Sequence, residues 1–288
     1  MKLGFIGAGK VGTGLATALS GKNYPVVAVY DTVKQSAENF VASVKGCKIM
    51  STPQEVADNA EFVFITTPDA YIEQVCSSVK WRPKQYVVHC SGANTVQLLE
   101  SAKKAGAYVG VFHPGLTFAD TKQAAKNIPG STFDIESEDE VLLNIFQEMA
   151  ASLDSNWIVV KAEEKPVYHV AVEFTSLFVM LLFRMSADMM QAMGITEEEA
   201  VKAALPMIRG TANNIENNWT SQPLTGPTDR GDIDTIRKHI DGLTKIYPKA
   251  LPLYRELVRQ NVDYAIRHKV IDSKKADEIL SLVNNYKI

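Results

Sequence analysis

The 288-residue sequence predicts an α/β protein in which a doubly wound, mostly parallel sheet is followed by an all-helical domain. Three observations predict it. Short β-rich runs alternate with helical stretches early in the chain. A glycine-rich turn, Gly7-Ala8-Gly9-Lys10-Val11-Gly12, joins the first strand to the first helix. Beyond about Lys161 strand signals stop and long amphipathic or apolar helical stretches take over.

The strands are expected at Lys2–Gly7, Val26–Tyr30, Lys48–Ser51, Phe62–Thr66, Tyr86–His89 and Tyr108–Phe112. Helices are expected between them at Val11–Ser20, Gln35–Val44, Pro53–Asn59, Ile72–Val79 and Val96–Ala105. Strands alternating with helices imply parallel pairing through crossover connections. Two further strands, Ser131–Ile135 and Trp157–Val160, flank a helix at Asp139–Leu153. The acidic run Glu136–Glu140 reads as a solvated helix start without chemistry. Helices are then expected at Pro166–Met193, Thr196–Asn217, Ile233–Ile246, Leu251–His268 and Lys274–Tyr286. The domain boundary is placed after residue 161, giving a dinucleotide-binding domain over 1–161 and a helical substrate and dimerisation domain over 162–288. A substrate is then expected in the cleft between the two.

Composition narrows the class. The chain is 46% hydrophobic and 22% charged with a net charge of -3, so no basic field draws it to nucleic acid. Cys47, Cys76 and Cys90 form no CxxC pair, which argues against a disulfide framework and a cysteine zinc site, and no metal is expected. This usage suits a reducing compartment. The apolar N-terminus, Met1–Gly7, is too short for a signal-peptide core. The most apolar stretch, Phe174–Phe183, is about ten residues, too short to cross a bilayer, and reads as a buried helix. A cytoplasmic protein without membrane contact is expected.

The glycine turn carries the firmest chemistry. Gly7 permits the tight turn, Gly9 lets a pyrophosphate approach the backbone, and Gly12 lets the helix pack on the strand. The N–H groups of the helix start, around Ala8, Lys10 and Val11, favour a bound phosphate. Asp31 ends the second strand, where a carboxylate can take the ribose hydroxyls and repel a 2′-phosphate, so NAD(H) is favoured over NADP(H) within an NAD(P)(H) site. Its alternative role is to cap the following helix.

Other strand ends face the same region. Thr66-Thr67-Pro68-Asp69 is a fixed, close-fitting loop beside the cofactor. In His89-Cys90-Ser91-Gly92 small residues allow a nicotinamide ring against backbone, Ser91 is a candidate for cofactor and substrate, and Cys90 reads as a packing residue. In Phe112-His113-Pro114-Gly115, His113 can donate to a substrate carbonyl or carboxylate, or be structural.

On a helix Lys165, His169, Glu173 and Ser176 fall on one face. A polar stripe on an apolar helix calls for partners or a wet cleft. Lys165 there can stabilise an oxyanion and donate its proton, and Glu173 can orient it or bind a substrate hydroxyl; an exposed lysine is the plainer alternative. Gly226 and Pro227 set a turn, Asp232 caps the helix starting at Ile233, and Arg230 at a helix start needs an anionic partner: a substrate carboxylate, a cofactor phosphate or a buried acid in a structural ion pair.

These motifs, with Tyr168-His169 and Thr225-Gly226-Pro227-Thr228-Asp229-Arg230-Gly231-Asp232, occur in one order that resembles Rossmann-like proteins whose C-terminal helical domain was long catalogued as of unknown function. The resemblance covers nearly the whole chain. That family is similar to the 6-phosphogluconate dehydrogenase-like reductases, and one branch looks like the alternative ketopantoate reductases. The resemblance implies a catalytic lysine, matched by Lys165, and a homodimer built partly through the helical domain. Family members usually carry a serine and an arginine after the second strand, where this chain has Asp31-Thr32. An asparagine common after the serine is missing from Phe174-Thr175-Ser176-Leu177, and a glycine follows His113-Pro114 in place of a bulkier residue. The expected activity is NAD(P)H-dependent reduction of a small 2-oxo acid, ketopantoate being the leading example. A cyclic-imine reductase resembling pyrroline-5-carboxylate reductase, or a non-catalytic NAD(H) sensor, are the alternatives.

Overall fold

Eight strands form one sheet in the order β3-β2-β1-β4-β5-β6-β7-β8. They are β1 (Leu3–Ile6), β2 (Val26–Tyr30), β3 (Lys48–Ile49), β4 (Phe62–Ile65), β5 (Tyr86–His89), β6 (Tyr108–Pro114), β7 (Thr132–Ser137) and β8 (Asn156–Val159). The computed structural model describes residues 1–118, 125–218 and 226–285. All neighbouring strands pair parallel except β6 with β7, which run antiparallel. The chain therefore reverses direction of growth between β1 and β4, where doubly wound sheets place ligands at the strands' carboxyl ends.

The crossover helices are α1 (Lys10–Gly21), α2 (Lys34–Ser43), α3 (Pro53–Asn59), α4 (Ile72–Ser78) and α5 (Glu100–Lys104), and α6 (Glu140–Ser152) joins β7 to β8. Their starts follow local chemistry. The Thr52 hydroxyl accepts from the Glu55 N–H with Pro53 in the first turn, and Asp139 accepts from the Leu142 N–H. Val96–Ala105 is not one helix but a 3-10 turn, Val96–Leu99, running into α5.

Both faces of the sheet are covered, so the central strands read as unbroken apolar runs. On one face Phe5 stacks on Phe64 with ring centroids 4.9 Å apart, and Phe112 stacks on Phe133 at 4.2 Å. On the other, Ile6, Val63, Ile65 and Val87 pack with Val56, Ile72 and Trp81.

The chain divides into two compact units, Met1–Ser176 and Leu177–Ile288. Helix α7 (Lys165–Thr175) thus belongs to the sheet unit, although the sequence pattern places it in the helical domain. The helical unit holds α8 (Leu177–Ala192), α9 (Glu197–Asn218), α10 (Ile233–Ile246), α11 (Leu251–Arg267) and α12 (Ser273–Asn285). Tyr286, at the expected end of the last helix, lies outside the described residues, as does Thr225. Ile236, Ile240, Val258, Val262, Ile279 and Val283 form that unit's core. Thr196 and Glu199 form a reciprocal capping box ahead of α9.

Two expectations change here. The single helix over Pro166–Met193 is broken at Ser176, where the adjacent hydroxyls of Thr175 and Ser176 both bond back to the Val172 carbonyl. The apolar stretch Phe174–Phe183 is not buried within the chain. Leu177, Met180, Leu181 and Leu182 of α8 are exposed, and Lys165–Ala192 as a whole is long and apolar enough to cross a membrane by length and composition. Periodicity shows that a helix has two faces, but only its neighbours decide which one turns inward.

Candidate active site

The carboxyl ends of β1, β2, β4 and β5 open onto a cavity of about 1010 Å³. Gly7, Gly9, Lys10 and Val11 line it from the glycine turn, Asp31 from β2, Thr66, Thr67 and Pro68 from β4, and Cys90 and Ser91 from β5. All belong to the first unit.

The turn is built around Thr66, whose hydroxyl donates to the Gly7 carbonyl at 2.7 Å. Gly7 sits at φ +109°, a left-handed conformation, and a Cβ on it would lie 2.6 Å from the Thr66 carbonyl carbon. A Cβ on Gly12 would lie 2.5 Å from Thr66 Oγ1, so Gly12 lets α1 close on the β4 end. Gly9 has nothing within 4 Å of its Cβ position, leaving open space against the first N–H groups of α1.

Asp31 is half-buried and holds the turn itself. One oxygen accepts from the Ala8 N–H at 2.6 Å and the other from the Val33 N–H at 2.7 Å. It therefore ties the glycine turn to the start of α2 while still lining the cavity. Thr67 Oγ1 is buried without a hydrogen-bond partner among the described residues. An open cradle at a helix N-terminus, an orphaned hydroxyl and the cavity volume fit a nicotinamide dinucleotide.

Beside the Ser91 end of this cavity lies a buried ionic cluster. Lys165 is fully buried, and its Nζ lies 2.5 Å from Asp134 Oδ2 and 3.8 Å from Glu136 Oε2. The other oxygen of Asp134 takes His113 Nδ1. His113 keeps 17% of its side chain exposed, whereas Asp134 has none. The Cε1–Nε2 edge of His113 and the Cδ2 of His169 both abut Gly92; a Cβ there would lie 2.6 Å from His113 Cε1, 2.8 Å from its Nε2 and 2.9 Å from His169 Cδ2. The two rings lie 6.4 Å apart.

The loop beneath is fixed by His89. Its Nε2 donates to the Thr95 carbonyl at 2.9 Å and its Nδ1 accepts from the Ser91 N–H at 3.1 Å. Burial pushes the His89 imidazole down to about 4, which keeps it neutral. The Ser91 hydroxyl donates to Asp69 at 2.7 Å, and Asn94 braces both. Burial pushes the Cys90 thiol up, consistent with a packing residue.

The predicted site residues thus separate. The glycine turn, Asp31, Thr66, Thr67, Pro68 and Ser91 meet at the cavity, and His113, His169 and Lys165 meet next to it. Lys165 faces carboxylates in a sealed pocket rather than a wet cleft. Glu173 is half-buried and is not among its ion-pair partners, and the Ser176 hydroxyl is turned to its own helix. Arg230 belongs to the second unit and is exposed near Asp229 and Asp232. Asp232 caps α10 as expected, accepting from the Thr235 N–H at 3.0 Å.

Asp134 was not apparent as a site residue, and Glu136 is corrected. It lies within β7, and burial pushes its carboxyl up; it is not a solvated helix start. The available signal was period-two spacing, with Asp134 and Glu136 on one face of β7 and Phe133 and Ile135 on the other. Acids on a buried strand face require a cation.

Residues 1–114 match the model of a Rossmann-like domain, and residues 131–261 match that of a domain of unknown function, DUF2520. No curated protein sequence matches the chain. Among solved structures, the chain is similar to a Bacteroides fragilis protein assigned as an NADP oxidoreductase, at 24% identity and a TM-score of 0.74, covering 90% of this chain and 97% of that one. It is similar to a Thermotoga maritima protein at 25% identity and a TM-score of 0.70, covering 93% and 99%. It also resembles a Plasmodium falciparum pyrroline carboxylate reductase with NADP bound, at 15% identity and a TM-score of 0.62, covering 97% and 98%. The chain therefore joins a Rossmann-like domain to a C-terminal domain of the unknown-function type, on a fold shared with NADP oxidoreductases and pyrroline-5-carboxylate reductases.

Proposed function

We propose that this protein is an NAD(P)H-dependent reductase of a small cyclic imine, similar in kind to pyrroline-5-carboxylate. The cavity at the glycine turn, with a histidine pair against Gly92 at its edge, carries the reading. Solved pyrroline-5-carboxylate reductases on the same fold support the imine over the oxo acid. The ketopantoate reading drew on the glycine turn, the family resemblance and Lys165 as an accessible donor, and the burial of Lys165 removes the last of these. The test is oxidation of NADH and NADPH over a panel of cyclic imines and 2-oxo acids. Faster turnover of an imine is expected. Faster turnover of ketopantoate overturns the substrate class, and tight cofactor binding without any oxidation favours a sensor.

The reading includes a homodimer. Val167 and Val170 on α7, Leu177 and Met180 on α8 and Met207 on α9 are exposed apolar side chains that a second copy of the chain would cover. Light scattering in detergent-free buffer is expected to give twice the 31.7 kDa chain mass. A stable monomer overturns the dimer, and a detergent requirement points to a membrane surface.

A further inference from the structure

We propose that His113 delivers the proton in this reduction and that Asp134 and Lys165 are positioning residues that hold its imidazole. The inference rests on the reductase reading above. Three observations carry it. First, the contact between His113 Nδ1 and Asp134 fixes the tautomer, because a carboxylate only accepts; Nδ1 carries a proton and Nε2 is the atom left to exchange one. Second, the Nε2 edge rests on Gly92, next to Ser91 of the cofactor cavity, and His113 is the partly exposed member of a cluster whose Asp134 and Lys165 are fully buried. Third, Asp134 is held on both sides, by Lys165 on one oxygen and by His113 on the other, with Glu136 on the far side of the same lysine, so the carboxylate that meets the imidazole cannot swing freely. His169, Tyr168, Cys90 and the neutral His89 are further titratable groups around the cluster.

A bound reduced nicotinamide supplies the hydride. The imine nitrogen takes the Nε2 proton of the His113 imidazolium, which raises the electrophilicity of the carbon. That carbon gains the hydride, its C=N π bond breaks, and an amine results, with the nicotinamide oxidised by two electrons. His113 is left neutral and regains its proton from water. Asp134 keeps Nδ1–H in place throughout, as an orienting carboxylate does for other catalytic imidazoles. Lys165, bound to the second Asp134 oxygen, prevents that carboxylate from turning away.

The test has one arm that needs no activity. Imidazole nitrogen NMR of the unliganded protein is expected to show His113 protonated at Nδ1 and hydrogen-bonded, with this signature lost in Asp134→Asn. A His113 protonated only at Nε2, or a spectrum unchanged in Asp134→Asn, overturns the relay. In the second arm, His113→Gln is expected to leave the NADPH dissociation constant within about twofold and to lower turnover by about 100-fold, the scale of a lost general acid. Undiminished turnover in His113→Gln overturns the proton role. Because Lys165→Met alone strands the buried Asp134 and Glu136 carboxylates, the triple variant Lys165→Met, Asp134→Leu, Glu136→Gln tests the orienting role in a protein without those unpaired charges. It is expected to fold and bind NADPH, yet to lose both the Nδ1 signature and turnover; normal turnover overturns the role. If the wild-type protein turns over nothing on the panel, the reductase reading fails, while the NMR arm still decides the His113–Asp134–Lys165 geometry.

Discussion

Lys165 Nζ and Asp134 Oδ2 lie 2.5 Å apart, and neither side chain is exposed to solvent. A buried pair of this kind adds little net stability compared with apolar residues of the same size, yet breaking it is costly because one charge is left behind. Lys165→Met is therefore expected to destabilise the first unit by about 3–5 kcal/mol. Urea unfolding checks this. A loss below about 1 kcal/mol would show that the pair does not form. The Lys165→Met, Asp134→Leu, Glu136→Gln triple variant, which leaves neither carboxylate unpaired, is expected to recover most of the loss.

The three glycines of the turn are separable by experiment. Gly12→Ala places a Cβ 2.5 Å from Thr66 Oγ1 and 2.6 Å from the Gly7 carbonyl. It is expected to cost about 1–3 kcal/mol, as overpacking does, and to abolish dinucleotide binding. Gly9→Ala meets nothing within 4 Å and is expected to leave the melting temperature unchanged. The methyl group fills the space where a phosphate approaches the helix start, so NADPH and NADH affinity should fall roughly tenfold or more, about 1.4 kcal/mol. Differential scanning fluorimetry with a cofactor titration separates the two outcomes. Equal melting losses for both variants would contradict the packing described here.

Asp31 bonds the Ala8 and Val33 N–H groups through both oxygens and also faces the cavity. Asp31→Asn keeps an acceptor for the turn and removes the charge that opposes a 2′-phosphate. The NADPH-to-NADH affinity ratio is expected to rise by roughly tenfold, about 1.4 kcal/mol. An unchanged ratio would mean that the bonds to the turn are the whole role of Asp31.

Acid should weaken the fold through His89. Its ordinary value of 6.5 falls to about 4 on burial, so between these values the unfolded chain binds more protons than the folded one. Stability therefore declines as pH falls through this window, by as much as about 3 kcal/mol from this residue. Glu136 works in the opposite sense, since burial raises its carboxyl and favours the folded form as the pH drops. Comparing urea unfolding of the wild type and His89→Gln between about pH 7 and about pH 4.5 isolates the histidine. The variant should show the flatter pH dependence, and parallel curves would refute the assignment.

The local signals proved dependable where the chemistry is local. Val26–Tyr30, Tyr86–His89, Pro53–Asn59 and Ile233–Ile246 have the same bounds in sequence and structure, because strand runs, a proline at a helix start and the Asp232 cap act within a few residues. Thr66 was legible as a cavity residue from its place at a strand end. Its bond to Gly7 was not, because it joins positions 59 residues apart in sequence.

By itself the sequence determined a dinucleotide turn on a parallel sheet, since glycine placement and alternating strands and helices follow from backbone geometry along one stretch of chain. It also put Lys165 and His169 on a common helix face. Only the tertiary structure decided what that face meets. The antiparallel return of β7 beside β6 brings Asp134 opposite His113 and under Lys165, whose own position is 31 residues further on. Charges buried together constrain one another through space, and a one-dimensional pattern holds no record of that distance. A lysine that looks like a proton donor in sequence is, in the fold, the buried counter-ion of the carboxylate that holds a histidine.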